Sequence, residues 1–350
     1  MAVTLSDVAE AAGVSLATAS RALHGASGRR QVRGDLKERV QAAAALLNYT
    51  TDANAQATAR GRTSVLGVVV HDIADPYFAA LVAGVTRAAD AASLQVTLAS
   101  TQNEPAREAE LVRLLQQQRA RAIVLLGGRQ AGARSDDLDQ ALRHYAEAGG
   151  AVVVVGQPLA GLAAVAIDNR GGAATLARAL HGLGYRRPAV LGGPPVHLTA
   201  RDRREGFAQA FADLGDPIPP ERIVAGAFTH RGGEEALLEL LGRSGRDLDA
   251  DVIFAVNDVM ALGALAVARD LGIAVPERVA LAGFDDITSL RDVVPALTTV
   301  RVPLGQVGAW ATELALAKGE GSAPVVREVP VEVVLRASTP PLAHRTLESS

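Results

Sequence analysis

From Val65 onward the chain alternates short, apolar, β-branched runs with amphipathic helical stretches, and this regularity restricts the fold more than any other feature. Strands that are apolar along their whole length are buried on both faces, as in parallel sheets covered by helices. Nine or so strands over about 280 residues exceed one comfortable domain, so two similar lobes are expected. The predicted strands are Val65–Val70, Leu94–Leu98, Ala122–Leu126, Val152–Val155, Ala163–Ile167, Pro188–Leu191, Ile223–Val224, Val252–Val256 and Val279–Ala282, with a further candidate at Val331–Leu335.

The first sixty residues, in contrast, predict helices only. Thr4 and Asp7 have the spacing of a reciprocal helix cap, and Gly13 suits the left-handed conformation that ends a helix. Ser15 can cap a second helix after a turn of three residues, which makes a helix-turn-helix. A third helix is predicted at Asp35–Leu47. Three short helices around one small core are the minimum for a headpiece that reads DNA.

Charge is distributed unevenly between these two regions. Residues 1–63 hold eight basic and five acidic residues, a net charge of +3, which leaves −6 for the rest of a chain whose total is −3. A basic head on an acidic body is typical of a tethered module that binds nucleic acid, although a solvated surface has the same charge.

Composition excludes several other classes. The chain has no cysteine, so disulfides, thiolate metal sites and cysteine nucleophiles are ruled out. No segment reaches the ~18 uninterrupted apolar residues of a membrane span. The N-terminus lacks the basic and apolar regions of a secretory signal, so the predicted compartment is the cytoplasm.

Several blocks, in order along nearly the whole chain, resemble the LacI/GalR family of bacterial transcription regulators. The head carries Val3–Ser15 (VTLSDVAEAAGVS) and Thr18–Arg21 (TASR), and a junction Gly61-Arg62-Thr63 follows. The core carries Asp75–Phe78, Asp168-Asn169, Arg203 before Gly206-Phe207, Asn257-Asp258, Gly283–Asp286 and Pro295–Val300. The resemblance implies an all-α helix-turn-helix headpiece followed by an α/β core of two lobes with parallel sheets, like the periplasmic sugar-binding proteins.

In such a headpiece the second helix enters the major groove and presents its first turns to base edges. Here those positions are Leu16, Ala17 and Arg21, with Arg21 suited to guanine. The alternatives are a small-core position for Leu16 and a phosphate or solvent contact for Arg21. Thr4, Ser15 and Thr18 are expected to position the backbone. The loop His24–Val32 is longer than is usual in the family, and its Arg29 and Arg30 are interpreted as added phosphate contacts or as solvated side chains.

Between head and core, residues 51–63 resemble the hinge of the family, a short helix that enters the minor groove as a pair. Ala55 would support that helix and contact DNA. The family usually has a leucine wedge where this chain has Thr58, and a threonine unstacks DNA less effectively than an apolar side chain.

For the core, the resemblance implies a ligand cleft at the carboxyl ends of the strands. Sugar recognition needs planar polar groups for pairs of hydroxyls and an aromatic face for the ring. The candidate residues are Asp72, Tyr77, Phe78, Arg203, Phe228, Asn257 and Asp285. Only one of Tyr77 and Phe78 is expected to face inward. Phe78 and Phe228 could be ordinary core residues, and Arg203 could form a structural ion pair.

Val302 occupies a position where relatives often place a glutamine. One polar contact to a sugar would then be missing, which favours a smaller or more apolar ligand than a common hexose.

Enzyme motifs are absent from the sequence: there is no GxGxxG after a strand, no P-loop and no GxSxG elbow. The seven histidines lack metal-ligand spacing, so neither metal nor cofactor is expected. Adjacent acids such as Asp285 and Asp286 rarely face one ligand, which argues against acid–base catalysis.

The predicted organisation is a headpiece at 1–50, a hinge at 51–63 and a core at 64–343. Lobe 1 is expected at about 64–167 plus 300–325, and lobe 2 at 168–298 plus 328–343. The expected partners are a palindromic operator in double-stranded DNA, a small effector such as a sugar, and a second copy of the chain, with no membrane. Two alternatives stay open: a ligand-binding protein whose head docks on a protein partner, and an enzyme acting on a sugar.

Overall fold

The computed structural model describes residues 3–24, 32–49, 63–132, 136–159, 161–243, 248–317 and 324–342. The chain divides into two compact units, 1–63 and 64–350. In the first unit, the described residues form three helices around one small core, namely α1 (Leu5–Ala11), α2 (Leu16–His24) and α3 (Gly34–Leu46). Its buried side chains are short, mostly alanine, with Val8 and Val40 completely enclosed.

Local capping sets the boundaries of the headpiece helices as the sequence predicts. Thr4 and Asp7 form the reciprocal cap of α1, with Asp7 Oδ2 accepting from the Thr4 backbone N–H at 2.8 Å. Gly13 has a φ of +62°, and Ser15 Oγ accepts from the Thr18 backbone N–H at 3.2 Å. Helix α3 begins one residue earlier than predicted, and Arg33 at its N-cap makes no side-chain capping bond.

The second unit contains two parallel sheets, one in each lobe. Lobe 1 has β1 (Val65–Val70), β2 (Gln95–Ser100), β3 (Ala122–Leu126), β4 (Ala151–Val155), β5 (Ala163–Ile167) and β11 (Val326–Val329), in the order β11-β5-β4-β3-β1-β2. Lobe 2 has β6 (Pro188–Leu191), β7 (Ile223–Val224), β8 (Val252–Ala255) and β9 (Ala280–Ala282), in the order β7-β6-β8-β9. Every pair of neighbouring strands within these two sheets is parallel, as the alternating pattern predicts.

Helices cover both faces of the lobe 1 sheet. Along β1, Leu66, Val68 and Val70 pack in the cluster of buried side chains that includes α4 (Pro76–Ala91) and α11 (Leu304–Leu316). Val69 packs instead with α5 (Arg107–Gln117) and α6 (Asp136–Glu147). This alternation explains why the strand is apolar along its length.

Lobe 2 carries α7 (Asn169–Gly182), α8 (Leu198–Asp213), α9 (His230–Arg243) and α10 (Asp258–Asp270) around its sheet. Short 3₁₀ turns occur at Pro220–Arg222 and Thr288–Arg291. Among the described residues, no helix is both long and apolar enough to cross a membrane.

The chain crosses between the lobes later than the sequence suggests. Strand β10 (Thr299–Arg301) pairs antiparallel with β12 (Glu332–Val334), and Thr298 just before it bridges to Ala282 at the end of β9, so β10 belongs with lobe 2. Strand β11 pairs with β5 as far as Val329, which places 326–329 in lobe 1, whereas the prediction assigned residues from 328 to lobe 2. Strand β11 lies at the sheet edge and carries Arg327 and Glu328 between its two valines, so it lacks the continuous apolar signal of the inner strands.

Helices α4 and α11 approach each other at glycines. A Cβ added to Gly84 would overlap the Gly305 carbonyl oxygen, and one added to Gly308 would overlap the Leu81 carbonyl oxygen. Only glycine permits this close backbone contact. The contact matters for function because α4 begins with Pro76, Tyr77 and Phe78 and so holds two candidate site residues in place.

We therefore expect Gly84→Ala to lower the free energy of unfolding by about 2–3 kcal/mol, since the added methyl group must push two backbones apart. Gly182→Ala is the matched control, because no atom lies within 4 Å of a Cβ there. It should leave stability unchanged or raise it by ~0.5–1 kcal/mol. Urea unfolding measures both, and equal stability of the two variants would contradict the packing described.

Candidate functional site

The carboxyl ends of both sheets border one cavity of about 480 Å³. The loops after β1, β2, β3 and β4 line it from lobe 1, and those after β6, β7, β8 and β9 line it from lobe 2. Such an edge is where ligands bind in open parallel sheets, and the volume falls in the ~300–1,000 Å³ range of small-molecule sites. All seven residues predicted from the sequence line this cavity: Asp72, Tyr77, Phe78, Arg203, Phe228, Asn257 and Asp285.

A buried ion pair between Arg203 and Asp285 forms one wall of the cavity. Arg203 Nη2 donates to Asp285 Oδ1 at 2.7 Å, and Nη1 donates to Oδ2 at 3.2 Å. Only 2% of Arg203 and 4% of Asp285 are exposed. The sequence left open whether Arg203 contacts a ligand or pairs with an acid, and the structure has it paired while it lines the cavity.

Three further contacts hold the guanidinium of Arg203 in place. Its Nε donates to Asn169 Oδ1 at 2.8 Å, and Nη1 donates to the Val256 carbonyl oxygen at 2.8 Å. Its Cζ lies 3.8 Å from the centroid of the Phe284 ring. The guanidinium is therefore oriented before a ligand binds, and binding costs little side-chain conformational entropy at Arg203.

Burial and neighbouring charge perturb the acids near this pair. Burial, with repulsion from Asp285, raises the pKa of the fully enclosed Asp258 to about 8. Burial also raises the pKa of Asp285, against the lowering effect of Arg203. The pKa of Asp75, mainly through burial, rises to about 6. Of these acids, Asp75 and Asp285 line the cavity, and carboxyl groups with raised pKa values in a cleft are typical of functional sites.

Asn257 and Asp72 reach the cavity from helix and loop starts. Asn257 caps α10, where its Oδ1 accepts from the Met260 backbone N–H at 2.9 Å, so its side-chain nitrogen stays available as a donor. Asp72 Oδ1 accepts from the Ala74 backbone N–H at 2.9 Å. Each bond fixes one atom of the side chain and leaves another for a ligand.

Aromatic rings enter the cavity from both lobes. Tyr77 and Phe78 both line it, with their ring centroids 5.1 Å apart at a steep angle, so the expectation that only one faces inward is wrong. Helix α4 starts at the cavity edge, and its first turn therefore exposes two successive side chains there. On the lobe 2 side, Phe228 packs edge-on against His197 at 4.8 Å.

Val302 does not contribute to this cavity. It is 3% exposed, packs in the apolar core and borders a separate depression beside Asp286 and Leu304. The interpretation that its identity removes a sugar contact here is therefore not supported by its position.

Sequence reasoning missed a polar cluster on the other side of the cavity. Glu108 Oε2 accepts from Arg129 Nη1 at 2.5 Å, and Glu108 Oε1 lies 3.7 Å from His71 Nε2. His197, Gln157 and Thr199 adjoin them. The signal available was position, since His71, Arg129 and Gln157 each follow shortly after the end of a predicted strand.

In the headpiece, the first turns of α2 are open to solvent. Leu16 is 51% exposed, which rules out the small-core interpretation, and Ala17 is exposed as well. Arg21 Nε donates to the Ala17 carbonyl oxygen at 2.9 Å, which leaves its terminal nitrogens free of that bond. Ser15 and Thr18 share a hydroxyl hydrogen bond of 2.8 Å. Arg29, Arg30, Ala55 and Thr58 lie outside the described residues.

Comparison with known proteins assigns the family. The family model described as bacterial regulatory proteins, lacI family, matches residues 4–52, and the periplasmic binding protein-like domain matches residues 177–339. The HTH-type transcriptional regulator GalS of Salmonella typhimurium is 35% identical over 323 residues, covering 91% of each chain. The chain belongs to the LacI family.

Solved structures of LacI-family members agree with the fold. The complex of the transcriptional regulator CelR with cellobiose is 30% identical, with a TM-score of 0.70, covering 96% of this chain and 99% of that one. The lac repressor dimer bound to operator and an anti-inducer has a TM-score of 0.83 at 24% identity, covering 97% and 100%. Membership in the LacI family makes the chain a DNA-binding transcriptional regulator, and the relatives named here are regulators rather than enzymes.

The pKa of His197 gives the cleft a testable pH dependence. Burial and the positive charges of His71, Arg203 and Arg129 lower this pKa to about 4. In the unfolded chain a histidine titrates near ~6.5, so between pH 6.5 and 4 the unfolded state binds more protons. The free energy of unfolding should therefore decrease as the pH is lowered from 6.5 to 4, by up to about 3 kcal/mol from His197 alone.

His197→Asn should show a smaller fall than the wild type when stability is measured by urea unfolding from pH 7 to 4. His144→Asn, at an exposed position on α6, is the matched control and should follow the wild-type curve. If the His197→Asn curve also ran parallel to the wild type, the neutral, buried state of His197 would be disproved.

Proposed function

We propose that this LacI-family member is a repressor that binds a palindromic operator as a homodimer and whose DNA affinity is set by a neutral, hydroxyl-rich effector in the cleft. The observation that carries the effector class is the Arg203–Asp285 pair beside Asn257. A fixed guanidinium, carboxylate and amide offer paired donors and acceptors, which suit the vicinal hydroxyls of a sugar.

Aromatic side chains support the same class of effector. Phe78 and Phe228 line the cavity from opposite lobes and can pack against the apolar face of a sugar ring. The relatives agree in kind, since the CelR structure contains cellobiose. Charge also disfavours an anionic ligand: five acidic residues and two arginines line the cavity, and both arginines are paired with carboxylates.

DNA binding is assigned to the start of α2. Leu16 and Ala17 are exposed and apolar, which suits contact with a thymine methyl group, while Arg21 suits guanine. Thr4, Ser15 and Thr18 position the backbone through their caps. One headpiece reads only a half-site, so a homodimer on a two-fold operator follows from the geometry of such helices.

Control by the effector follows from linkage. A ligand changes DNA affinity only as far as it binds one arrangement of the lobes better than another. The cavity is lined from both lobes, so a ligand within it contacts both and can favour one arrangement.

Selection of binding sites from random duplex DNA with the full-length protein tests the proposal. We expect recovery of a two-fold palindrome whose binding weakens steeply as salt rises, because phosphate contacts release counterions. Enrichment of no sequence, with and without pooled sugars, would overturn the operator and favour a head that docks on a protein.

Arg21→Ala sharpens this test. It should weaken binding to the selected operator by ~1–3 kcal/mol and relax the preference at one base pair of each half-site, since a bidentate contact is lost. Lys37→Ala removes the same charge from the exposed side of α3 and should leave base preference unchanged. Electrophoretic mobility shifts with operator variants measure both, and an unchanged preference in Arg21→Ala would refute the assigned role.

A further inference from the structure

Three polar atoms in the cavity wall lack hydrogen-bond partners. Thr101 Oγ1, Arg129 Nε and His197 Nδ1 are buried and bond no atom of the described residues, and they are all the atoms of this kind found there. All three residues line the one cavity. A buried polar atom without a partner costs ~1–3 kcal/mol, so three of them at one place indicate a surface shaped to bind polar groups of a ligand.

Hydrogen bonds hold the groups around these atoms in place. Glu108 is 4% exposed and binds Arg129 Nη1 at 2.5 Å, which leaves Nε as a donor. The Arg129 backbone N–H donates to Gln157 Oε1 at 2.9 Å, and Gln157 Nε2 donates to Thr199 Oγ1 at 3.1 Å. The amide of Gln157 is thus engaged at both ends. The groups that remain are a hydroxyl, a guanidinium N–H and a neutral imidazole, which together match hydroxyl groups.

This cluster joins the two lobes. The Leu198 backbone N–H donates to the Arg129 carbonyl oxygen at 2.8 Å, and the Ala131 backbone N–H donates to the Val196 carbonyl oxygen at 2.7 Å. His71 from lobe 1 and His197 from lobe 2 have ring centroids 6.3 Å apart. A ligand that contacts His197 and Arg129 therefore contacts both lobes.

The distance between this cluster and the Arg203–Asp285 pair indicates the size of the ligand. His197 is the N-cap residue of α8, makes no side-chain capping bond, and precedes Arg203 by six residues. At 1.5 Å per residue these positions are separated by about 9 Å along the helix axis. Two linked rings fit that span better than one.

We propose that Thr101, Glu108, Arg129 and His197 form a second subsite, which receives the second ring of a neutral disaccharide while Arg203, Asn257 and Asp285 hold the first. The proposal rests on the proposed function and narrows its effector class. Glu108 orients Arg129, and the other three residues supply hydrogen bonds to hydroxyls. Sugar phosphates are disfavoured because carboxylates outnumber arginines in the cavity wall.

Isothermal titration calorimetry on the full-length protein tests it. The probes are cellobiose, lactose and maltose, their monosaccharides glucose and galactose, glucose 6-phosphate, and the nucleosides adenosine and cytidine. We expect at least one disaccharide to bind at least tenfold more tightly than its own monosaccharides, and glucose 6-phosphate to bind more weakly than glucose.

Thr101→Val is the decisive variant, because it keeps the shape of the side chain and removes a hydroxyl that has no hydrogen-bond partner among the described residues. It should lower affinity for the preferred disaccharide by roughly three- to tenfold, with a smaller effect on the monosaccharide, and should not lower the unfolding midpoint. Thr312→Val is the matched control: Thr312 is equally buried, its hydroxyl donates to the Gly308 carbonyl oxygen, and it lies outside the cavity wall. It should leave affinity unchanged.

Asp285→Asn separates the two subsites, since it should weaken monosaccharide and disaccharide alike. Equal affinity for disaccharides and monosaccharides would overturn the second subsite while sparing the proposed function. Tighter binding of a nucleoside than of every sugar, or binding of no probe, would overturn the disaccharide assignment. The operator selection described above decides the proposed function separately.

Discussion

The buried ion pair between Arg203 and Asp285 is the interaction on which the site depends. Removing two charges from water is costly, and the pair persists only because nearly every polar atom finds a partner. Asn169, the Val256 carbonyl oxygen and the Phe284 ring complete the surroundings of the guanidinium. These groups come from α7, α8 and the loops after β8 and β9, so the pair is assembled only when lobe 2 is fully folded. Loss of either partner would leave the other charge buried and unpaired.

The adjacent acids Asp285 and Asp286 have different roles in this wall of the cavity. Asp285 has a φ of +119°, and its carboxylate binds Arg203, whereas the next residue, Asp286, pairs with Arg301 and Arg336. One carboxylate therefore serves the cavity and the other ties β10 to the segment after β12. Asp258 accepts from the Ile287 backbone N–H and from the Thr299 hydroxyl, and it therefore connects the segment after Asp286 to the start of β10. The cavity wall and the inter-lobe segments are thus built from a single hydrogen-bonded network.

Periodicity and position in the sequence predicted much of this molecule. Continuous β-branched runs located the inner strands of both sheets, because strands covered on two faces must be apolar throughout. Local caps located α1 and α2, since they depend only on residues a few positions apart. Edge strand β11 and the late lobe crossing were missed, because an edge strand needs apolar residues on one face only.

The sequence likewise predicted some residues of the candidate site and missed others. Arg203, Asn257 and Asp285 were found by resemblance to family motifs, and their convergence in one wall agrees with it. Glu108, Arg129 and His197 were missed because their association depends on contacts between α5, the loop after β3 and the start of α8, which are distant in sequence. Glu108 in particular lies among apolar residues of an amphipathic helix, where an acid is normally solvated.

Control of the headpiece by the cleft is tested most directly by the reciprocity between operator binding and sugar binding. Operator affinity would be measured with and without the sugar that binds most tightly, and sugar affinity with and without the selected operator. Linkage requires the two ratios to be equal, and we expect a common factor of roughly 5–150. A sugar that saturates the cleft and leaves operator affinity unchanged would contradict the claim that this cavity controls the headpiece.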